Sequence, residues 1–254
     1  MEELLKYDIG NLQGIGARED QEDSFGFVNA LDAGLIREKG LFAAVADGMG
    51  GMEGGREASS LVMKTLMSDF EKMDRSVSPG MQISRSIAHA NDLVYSMLHG
   101  NGGSTVVAAV FFHEMLYFAS VGDSTMWLVR NGEVIRLNEP HNMKYLRYHE
   151  AFYSGSMDPF EGRNDPQAHA LTQHVGMRQL EEVDVSYSPL RLENQDVIIL
   201  CSDGVGEILS EEEVLDCLEK TSSTEVCLEI DRHIRQKNLP FQDNYTALVI
   251  RCSY

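Results

Sequence analysis

Residues 105–137 read TVVAAVFFHEMLYFASVGDSTMWLVRNGEVIRL and carry the clearest strand pattern of the chain. Four runs of apolar, aromatic and β-branched residues are separated by three polar turns, at 113–114, 122–124 and 131–132. The last turn is Asn131-Gly132, a dipeptide that favours a two-residue hairpin turn between alternating strands. The stretch therefore predicts a meander of four antiparallel strands.

The residues before this meander predict three more strands and two amphipathic helices. Strand-like runs lie at 7–15, 23–29 and 41–46, and the last is almost continuously apolar, as is typical of a buried strand. Apolar residues recur at helical spacing over 58–73 and 83–98. We expect each helix to lay its apolar stripe on a sheet.

The residues after the meander predict a flap and then a return to regular structure. Residues 139–170 carry histidines, prolines and polar residues without a period, which favours an irregular insertion. Further strands are expected at 183–188, 196–201 and 245–251, and further helices at 210–220 and 222–237. Helices that are grouped together, rather than alternating with strands, indicate an α+β sandwich. Because no repeat or linker divides the chain, we interpret residues 1–254 as one domain.

Composition and charge exclude several classes of protein. The formal net charge of −19 argues against nucleic-acid binding, because affinity for the phosphate backbone comes from clustered Lys and Arg. The N-terminal MEELLKYD lacks the segments of a secretory signal, and no apolar run is long enough to span a membrane. Neither the four cysteines nor the eight histidines show a metal-binding spacing, so we interpret them as packed thiols and solvated flap residues. We therefore expect a cytoplasmic protein that binds neither nucleic acid nor membrane.

Acidic residues stand at the ends of five strand-like runs, each beside a glycine, serine or asparagine: Glu22-Asp23, Asp47, Asp123, Asp203 and Asp243. Singly, each has a structural explanation, because Asp-Gly and Gly-Asp-Ser are common turn sequences. Together, carboxylates without a basic partner nearby in sequence would repel one another unless a cation held them. Oxygen ligands of this kind suit Mg²⁺ or Mn²⁺ rather than zinc.

Five motifs, in this order along the chain, resemble those of the protein phosphatase 2C family. They are REDQEDS at 18–24, DGMGG at 47–51, GDS at 122–124, CSDG at 201–204 and DN at 243–244. The resemblance implies a four-layer αββα sandwich, in which two packed antiparallel β-sheets are flanked by helices. It also implies a metal-dependent phosphatase, of the bacterial type, that acts on phosphoserine and phosphothreonine in proteins. A cognate serine/threonine kinase is the implied partner of what we expect to be a monomer.

The resemblance assigns metal ligands residue by residue. Asp47 is expected to bridge two Mn²⁺ or Mg²⁺ ions, with the carbonyl of Gly48 on the second ion. Asp203 and Asp243 are expected on the first ion, while the Glu22-Asp23 pair acts mainly through metal-bound waters. Cations about 3.5–4 Å apart activate a bridging water for attack on phosphorus and offset the charge on the phosphoryl oxygens. No protein nucleophile is then needed.

The resemblance adds a third metal and a phosphate-binding residue. Bacterial members bind a third, weaker metal through the aspartate of GDS, here Asp123, together with Asp203. Arg18 matches the arginine that holds the substrate phosphate, a contact that suits a planar guanidinium. Together with Asp203 and Asp47, Arg18 is expected to carry catalysis.

One departure from the family concerns the proton that the leaving group needs. Met49 stands where animal members often carry a histidine. Metal-bound water and His174 are the two alternatives for that proton.

Two other functions stay open at the level of sequence. A non-catalytic relative would bind phosphoproteins or another partner, although such relatives usually lose a metal carboxylate, and Asp47, Asp203 and Asp243 are all present. A phosphatase for small phosphoesters would keep the chemistry and change the substrate. Chemistry through a cysteine phosphoenzyme is excluded, because no cysteine is followed by an Arg six residues on.

Overall fold

The computed structural model describes residues 5–49, 54–155 and 166–254. Within these ranges the elements are β1 Lys6–Gly14, β2 Ser24–Val28, α1 Ala33–Lys39, β3 Leu41–Ala46, α2 Gly55–Glu71, α3 Pro79–Leu98, β4 Val106–Phe112, β5 Met115–Val121, β6 Thr125–Arg130, β7 Glu133–Arg136, α4 Met143–Ser154, β8 Asp184–Val185, β9 Leu190–Arg191, β10 Val197–Cys201, α5 Asp203–Gly206, α6 Glu211–Cys217, α7 Ser223–Lys237 and β11 Tyr245–Ser253. No helix among these described residues has the length and apolar character needed to cross a membrane.

The strands form two antiparallel sheets that pack face to face. The first sheet has the order β1-β11-β10-β6-β7, and the second has the order β2-β3-β4-β5-β8, with β9 beside β5. Side chains from both sheets build the central core, among them Val45, Phe111, Leu200 and Ile250. The predicted sandwich is confirmed, and its middle is the contact between the two sheets.

Helices cover the outer face of each sheet. In β3, Leu41 and Val45 point towards the other sheet, whereas Phe42 and Ala46 belong to the core beneath α2 and α3. All six residues of β3 are therefore buried, which explains why its sequence is a continuous apolar run. Residues of α6 and α7 form a third core against the first sheet. The order of layers is helix, sheet, sheet, helix, as expected.

The meander predicted at 105–137 is wrong at one point. β4 pairs with β5 in the second sheet, but β6 pairs with β7 and β10 in the first. The 122–124 turn therefore carries the chain from one sheet to the other. Gly122 has a φ of 94°, a left-handed conformation that glycine adopts without strain. Asp123 thus stands where the two sheets meet.

The expectation of irregular structure over 139–170 is also wrong for residues 143–154, which form helix α4. Asn142 caps its N-terminus by accepting a hydrogen bond from Tyr145 N at 3.0 Å. The helix buries none of its residues, so no apolar period marks it in the sequence. The short helix α1 was not predicted either, and the strand expected at 183–188 is reduced to β8. Residues 156–165 of the flap lie outside the described ranges.

Strand pairing brings the acidic motifs to one edge of the sandwich. In the second sheet Ser24 pairs with Ala46. In the first sheet Cys201 pairs with both Thr125 and Ala247. Each predicted acidic residue lies within four residues of one of these paired positions. The five strand ends therefore converge on a common site.

Candidate metal centre

Asp47 lies at the middle of this site, directly after β3. Its backbone is pinned to Thr105, because Asp47 N donates to Thr105 Oγ1 at 3.3 Å and Thr105 N donates to Asp47 O at 2.8 Å. The Asp47 carboxyl is in hydrogen-bonding contact with the carboxyls of Asp23 and Asp203. Burial raises the pKa of Asp47 well above its usual range, and the charges of Asp23 and Asp203 add to the rise. The fold thus holds three carboxyls together.

Asp23 ties the two sheets together at this edge. Its Oδ2 accepts hydrogen bonds from Ser202 Oγ at 2.9 Å and from Thr246 Oγ1 at 2.7 Å, both from the first sheet's side. Its Oδ1 is buried and has no donor among the described residues. Burial raises the pKa of Asp23. Asp23 therefore offers one satisfied oxygen and one free oxygen to the centre.

Asp203 and Asp123 extend the acidic cluster. Asp203 begins α5, and burial, with the charges of Asp123 and Asp243, raises its pKa to about 7. Burial, with the charge of Glu207, raises the pKa of Asp123 to about 6. Arg136 Nη2 donates to the Asp123 carbonyl at 3.1 Å, which places the guanidinium beside this turn. The cluster is therefore only partly compensated by positive charge.

The Glu22 and Gly48 backbones close the site on the side of helix α2. Gly48 N donates to Glu22 O at 3.2 Å, and Ser59 Oγ of α2 donates to the same carbonyl at 2.5 Å. A Cβ on Gly48 would stand 2.4 Å from Gly55 O, so only glycine fits here. Burial raises the pKa of Glu22. The next motif positions, 50–51, lie outside the described residues.

Asp243 has a partner that the sequence did not suggest. Arg18 Nη2 donates to Asp243 Oδ2 at 2.6 Å, across 225 positions of chain. The two side chains keep 46% and 39% of their surface exposed. The predicted phosphate-binding arginine and a predicted metal ligand therefore pair with each other at the mouth of the site.

The donor set fits a hard divalent cation. In the described parts of the chain, no three His, Cys, Asp or Glu side chains are arranged as a ready coordination shell. The three touching carboxyls, and the free Oδ1 of Asp23, nevertheless offer only oxygen atoms, which are the ligands of Mg²⁺ and Mn²⁺. The structure thus brings Asp23, Asp47 and Asp203 into contact, with Asp123 close by and Asp243 at the rim.

Comparison with known proteins agrees with this site. The family model of Protein phosphatase 2C matches residues 7–147, more than half of the chain. The chain belongs to the protein phosphatase 2C family. A serine/threonine phosphatase of Listeria welshimeri is 30% identical over 216 residues, which cover 81% of this chain and 82% of that protein.

Solved structures of other phosphatases have the same fold as this protein phosphatase 2C chain. A serine/threonine phosphatase of S. agalactiae is 26% identical, with a TM-score of 0.81 over 96% of this chain and 99% of that one. The catalytic domain of the phosphatase PstP, solved with two manganese ions, is 22% identical, with a TM-score of 0.75 over 99% of both chains. The second likeness is informative about the fold alone.

Two residues near the centre bear on the leaving-group proton in this member of the protein phosphatase 2C family. A Cβ on Gly103 would stand 2.7 Å from both Met49 Sδ and His174 Cδ2, so these side chains flank the same glycine. The fold thus brings His174 beside the position that lacks the histidine of animal members. Burial lowers the pKa of His174, which favours the neutral ring and works against proton donation. A role for His174 stays a prediction.

Asn244 organises the site of this protein phosphatase 2C chain, although sequence reasoning gave it no role. Its Oδ1 accepts from Glu22 N at 2.8 Å, and its Nδ2 donates to Ile15 O at 2.9 Å and Asp20 O at 3.0 Å. Asn244 therefore ties the loop that carries Arg18 to the start of β11. Its position directly after Asp243 was the available signal.

His141 corrects the interpretation of the histidines as solvated. It is buried, its Nδ1 accepts from Gly122 N at 3.1 Å, and its own N donates to Gly122 O at 2.9 Å. His141 thus fastens the base of the flap to the turn that carries Asp123. Local sequence could not reveal this role, because the partner lies 19 positions away.

Proposed function

We propose that this chain is a protein-serine/threonine phosphatase whose carboxylate cluster holds Mn²⁺ or Mg²⁺. The observation that carries the proposal is the contact of buried Asp23 with half-buried Asp47 and Asp203, three acids for which the fold supplies too little positive charge. Such a cluster is stabilised when a cation replaces the shared protons. The PstP catalytic domain, which has the same fold, was solved with two manganese ions, so Mn²⁺ is the first metal to test.

Asp47, Asp203 and Asp243 would hold the metals, with Glu22 and Asp23 around them. Divalent cations bound there supply an activated water and offset charge on the phosphate. Arg18 binds and orients the phosphate, because its exposed guanidinium can leave Asp243 without disturbing the core. The hydrogen bonds of Asn244 keep the Arg18 loop in place while this happens.

Several finer features belong to the same proposal. A third, weaker metal would bind between Asp123 and Asp203, whose pKa values are both raised by burial. One domain over residues 1–254, a cytoplasmic location, a monomeric state and a cognate kinase remain predictions of the sequence. So does the carbonyl of Gly48 as a ligand.

The proposal is tested by phosphate release from a phosphothreonine peptide. We expect the purified chain to lose activity in EDTA and to recover it with Mn²⁺ more than with Ca²⁺, because Ca²⁺ prefers longer bonds and more ligands. Calorimetric titration of Mn²⁺ into the EDTA-treated protein provides a readout that does not depend on turnover. Full turnover in excess EDTA would contradict the proposal, and hydrolysis confined to small phosphoesters would assign a different substrate class.

A further inference from the structure

Helix α4 presents an aromatic face on which the other described residues cover Tyr145 and Tyr148 in part and leave Phe152 exposed. Tyr145, Tyr148 and Phe152 lie at positions i, i+3 and i+7, so they share one side of the helix. No residue of α4 is buried, and Phe152 keeps 68% of its surface exposed. Large aromatic side chains left exposed together mark interaction surfaces on proteins.

The helix is fastened at its start to the candidate metal centre. Asn142, the N-cap residue of α4, lies beside Asp123, and both residues line the same cleft. The preceding residue, His141, holds Gly122 with two hydrogen bonds. Thr172 N donates to His141 O at 2.9 Å and anchors the same point from the other end of the flap. The aromatic face therefore has a defined position relative to the acidic cluster.

A cleft of about 560 Å³ lies between α4 and the edge of the sandwich. It is lined at one end by Asp123, Arg136 and Glu207 and along its side by Tyr145, Tyr148 and Phe152. Its volume falls in the range of about 300–1,000 Å³ that is usual for sites that take a ligand or a side chain. The cleft is thus continuous with the proposed catalytic site and apolar beyond it.

We propose that this cleft binds the segment of the substrate protein that flanks the phosphoresidue, and that it selects a large apolar or aromatic side chain there. The proposal rests on the phosphatase function proposed above. Asp123 belongs both to the acidic cluster and to the lining of this cleft, so a substrate segment that leaves the metal centre on this side enters the cleft. The α4 cleft then receives the residues on one side of the phosphoresidue.

The length of the helix face limits where this side chain lies in the substrate. From Tyr145 to Phe152 the helix rises by roughly 10 Å, at about 1.5 Å per residue. An extended peptide covers that distance with about three residues, at about 3.3 Å each. The selected side chain therefore lies within three residues of the phosphoresidue, on one side.

The test is a series of phosphothreonine peptides in an alanine background, with one phenylalanine moved from three residues before to three residues after the phosphothreonine. We expect one position to raise kcat/KM about tenfold over the all-alanine peptide, mainly through KM, as for burial of an apolar side chain in a pocket. In Phe152→Ala the ratio of kcat/KM for the best phenylalanine peptide to kcat/KM for the all-alanine peptide should fall below about threefold. Phe152→Leu should restore most of this ratio. The Tm of each variant in the presence of Mn²⁺ confirms that it is folded.

Leu228→Ala is the matched control. Leu228 is also a large exposed apolar residue, at 65%, but it lies on α7, a helix that packs against the first sheet and is separate from α4. It should keep both the activity and the ratio. A wild-type enzyme that hydrolyses all peptides equally would overturn the inference and leave the phosphatase function standing. So would an unchanged ratio in Phe152→Ala, or a dimer in sedimentation that Phe152→Ala dissociates, since a second copy would then occupy the cleft. No hydrolysis of any peptide with Mn²⁺ would overturn both proposals.

Discussion

The two acids that flank strand β10, buried Asp196 and half-buried Asp203, lie in opposite electrostatic environments. Just before the strand, Asp196 is 1% exposed, and its two oxygens accept hydrogen bonds from Arg130 Nε at 2.8 Å and Nη2 at 2.6 Å. Glu193 N adds a third hydrogen bond at 2.7 Å. Just after the strand, Asp203 faces other carboxyls, and burial raises its pKa to about 7. A single five-residue strand thus separates a compensated acid from an uncompensated one.

This difference separates an acid that stabilises the fold from an acid that we propose as a metal ligand. A buried carboxylate is tolerated when a bidentate arginine and backbone donors satisfy it, as at Asp196. A cluster that lacks such donors is unfavourable in the folded protein until a cation or protons neutralise it. The two ends of β10 should therefore respond to mutation in opposite ways.

The largest effect is expected for Asp203→Asn. Because the loss of residues that merely support a metal ligand costs about 10- to 100-fold, the loss of a ligand should lower turnover with Mn²⁺ by more than about 100-fold. Calorimetry should show that tight Mn²⁺ binding is gone, while the Tm in EDTA is unchanged or higher because carboxyl repulsion is relieved. Asp123→Asn is the matched variant and should lose only the weakest metal. Wild-type turnover and metal stoichiometry in Asp203→Asn would refute the assignment of this motif.

Asp196→Asn should do the reverse. It weakens the charge-assisted hydrogen bonds to Arg130 and should lower the free energy of unfolding by about 2 kcal/mol. For a chain of this size, that corresponds to a fall in Tm of roughly 4–8 °C. Urea unfolding and differential scanning calorimetry measure the change. Turnover and Mn²⁺ affinity measured well below the Tm should match the wild type, and a loss of metal binding would break the contrast between the two ends.

Arg18→Ala tests whether the Arg18–Asp243 pair stabilises the fold, as the hydrogen bonds between Arg130 and Asp196 do, or serves the proposed metal centre. An ion pair this exposed contributes only about 0–1 kcal/mol to stability, so the Tm should change little. If Arg18 holds the phosphate as proposed, KM for a phosphopeptide should rise about tenfold with a smaller change in kcat, because the guanidinium would bind the phosphate in both the ground and transition states. Arg18→Lys tests whether the planar fork matters. An unchanged KM with a lowered Tm would make Arg18 a structural residue.

The smallest effect is a pH dependence of stability in the metal-free protein. The folded pKa values of Asp203, about 7, and Asp123, about 6, lie above the unfolded value near 3.9. Their protonated forms therefore stabilise the fold fully below about pH 4, and this stability is lost as the pH rises through 6 to 7. We expect the Tm in EDTA to fall by a few degrees between pH 5 and pH 8, and less so in Asp203→Asn. Scanning fluorimetry with and without Mn²⁺ checks this, because Mn²⁺ should raise the Tm more at pH 8.

Sequence reasoning recovered the elements whose residues are buried with a clear period. The continuous run of β3, the stripes of α2 and α3 and the hairpin at Asn131-Gly132 are all present in the fold. It failed at α4, since a helix that buries nothing has no reason to show a period. It also missed the crossing between sheets at 122–124, because a turn looks alike whether it joins paired strands or separate sheets.

Local sequence indicated the acids that the fold gathers at the candidate metal centre, because acids that follow apolar strands next to glycine, serine or asparagine can be recognised without coordinates. Their contacts with one another are visible only in the folded chain: Arg18 pairs with Asp243, Asn244 accepts from Glu22 N, and Asp47 lies between Asp23 and Asp203. Each contact joins positions far apart in sequence, and strand register determines which distant residues meet. The charge of a buried carboxyl follows from those meetings, because burial and neighbouring charges, not residue type, determine its pKa.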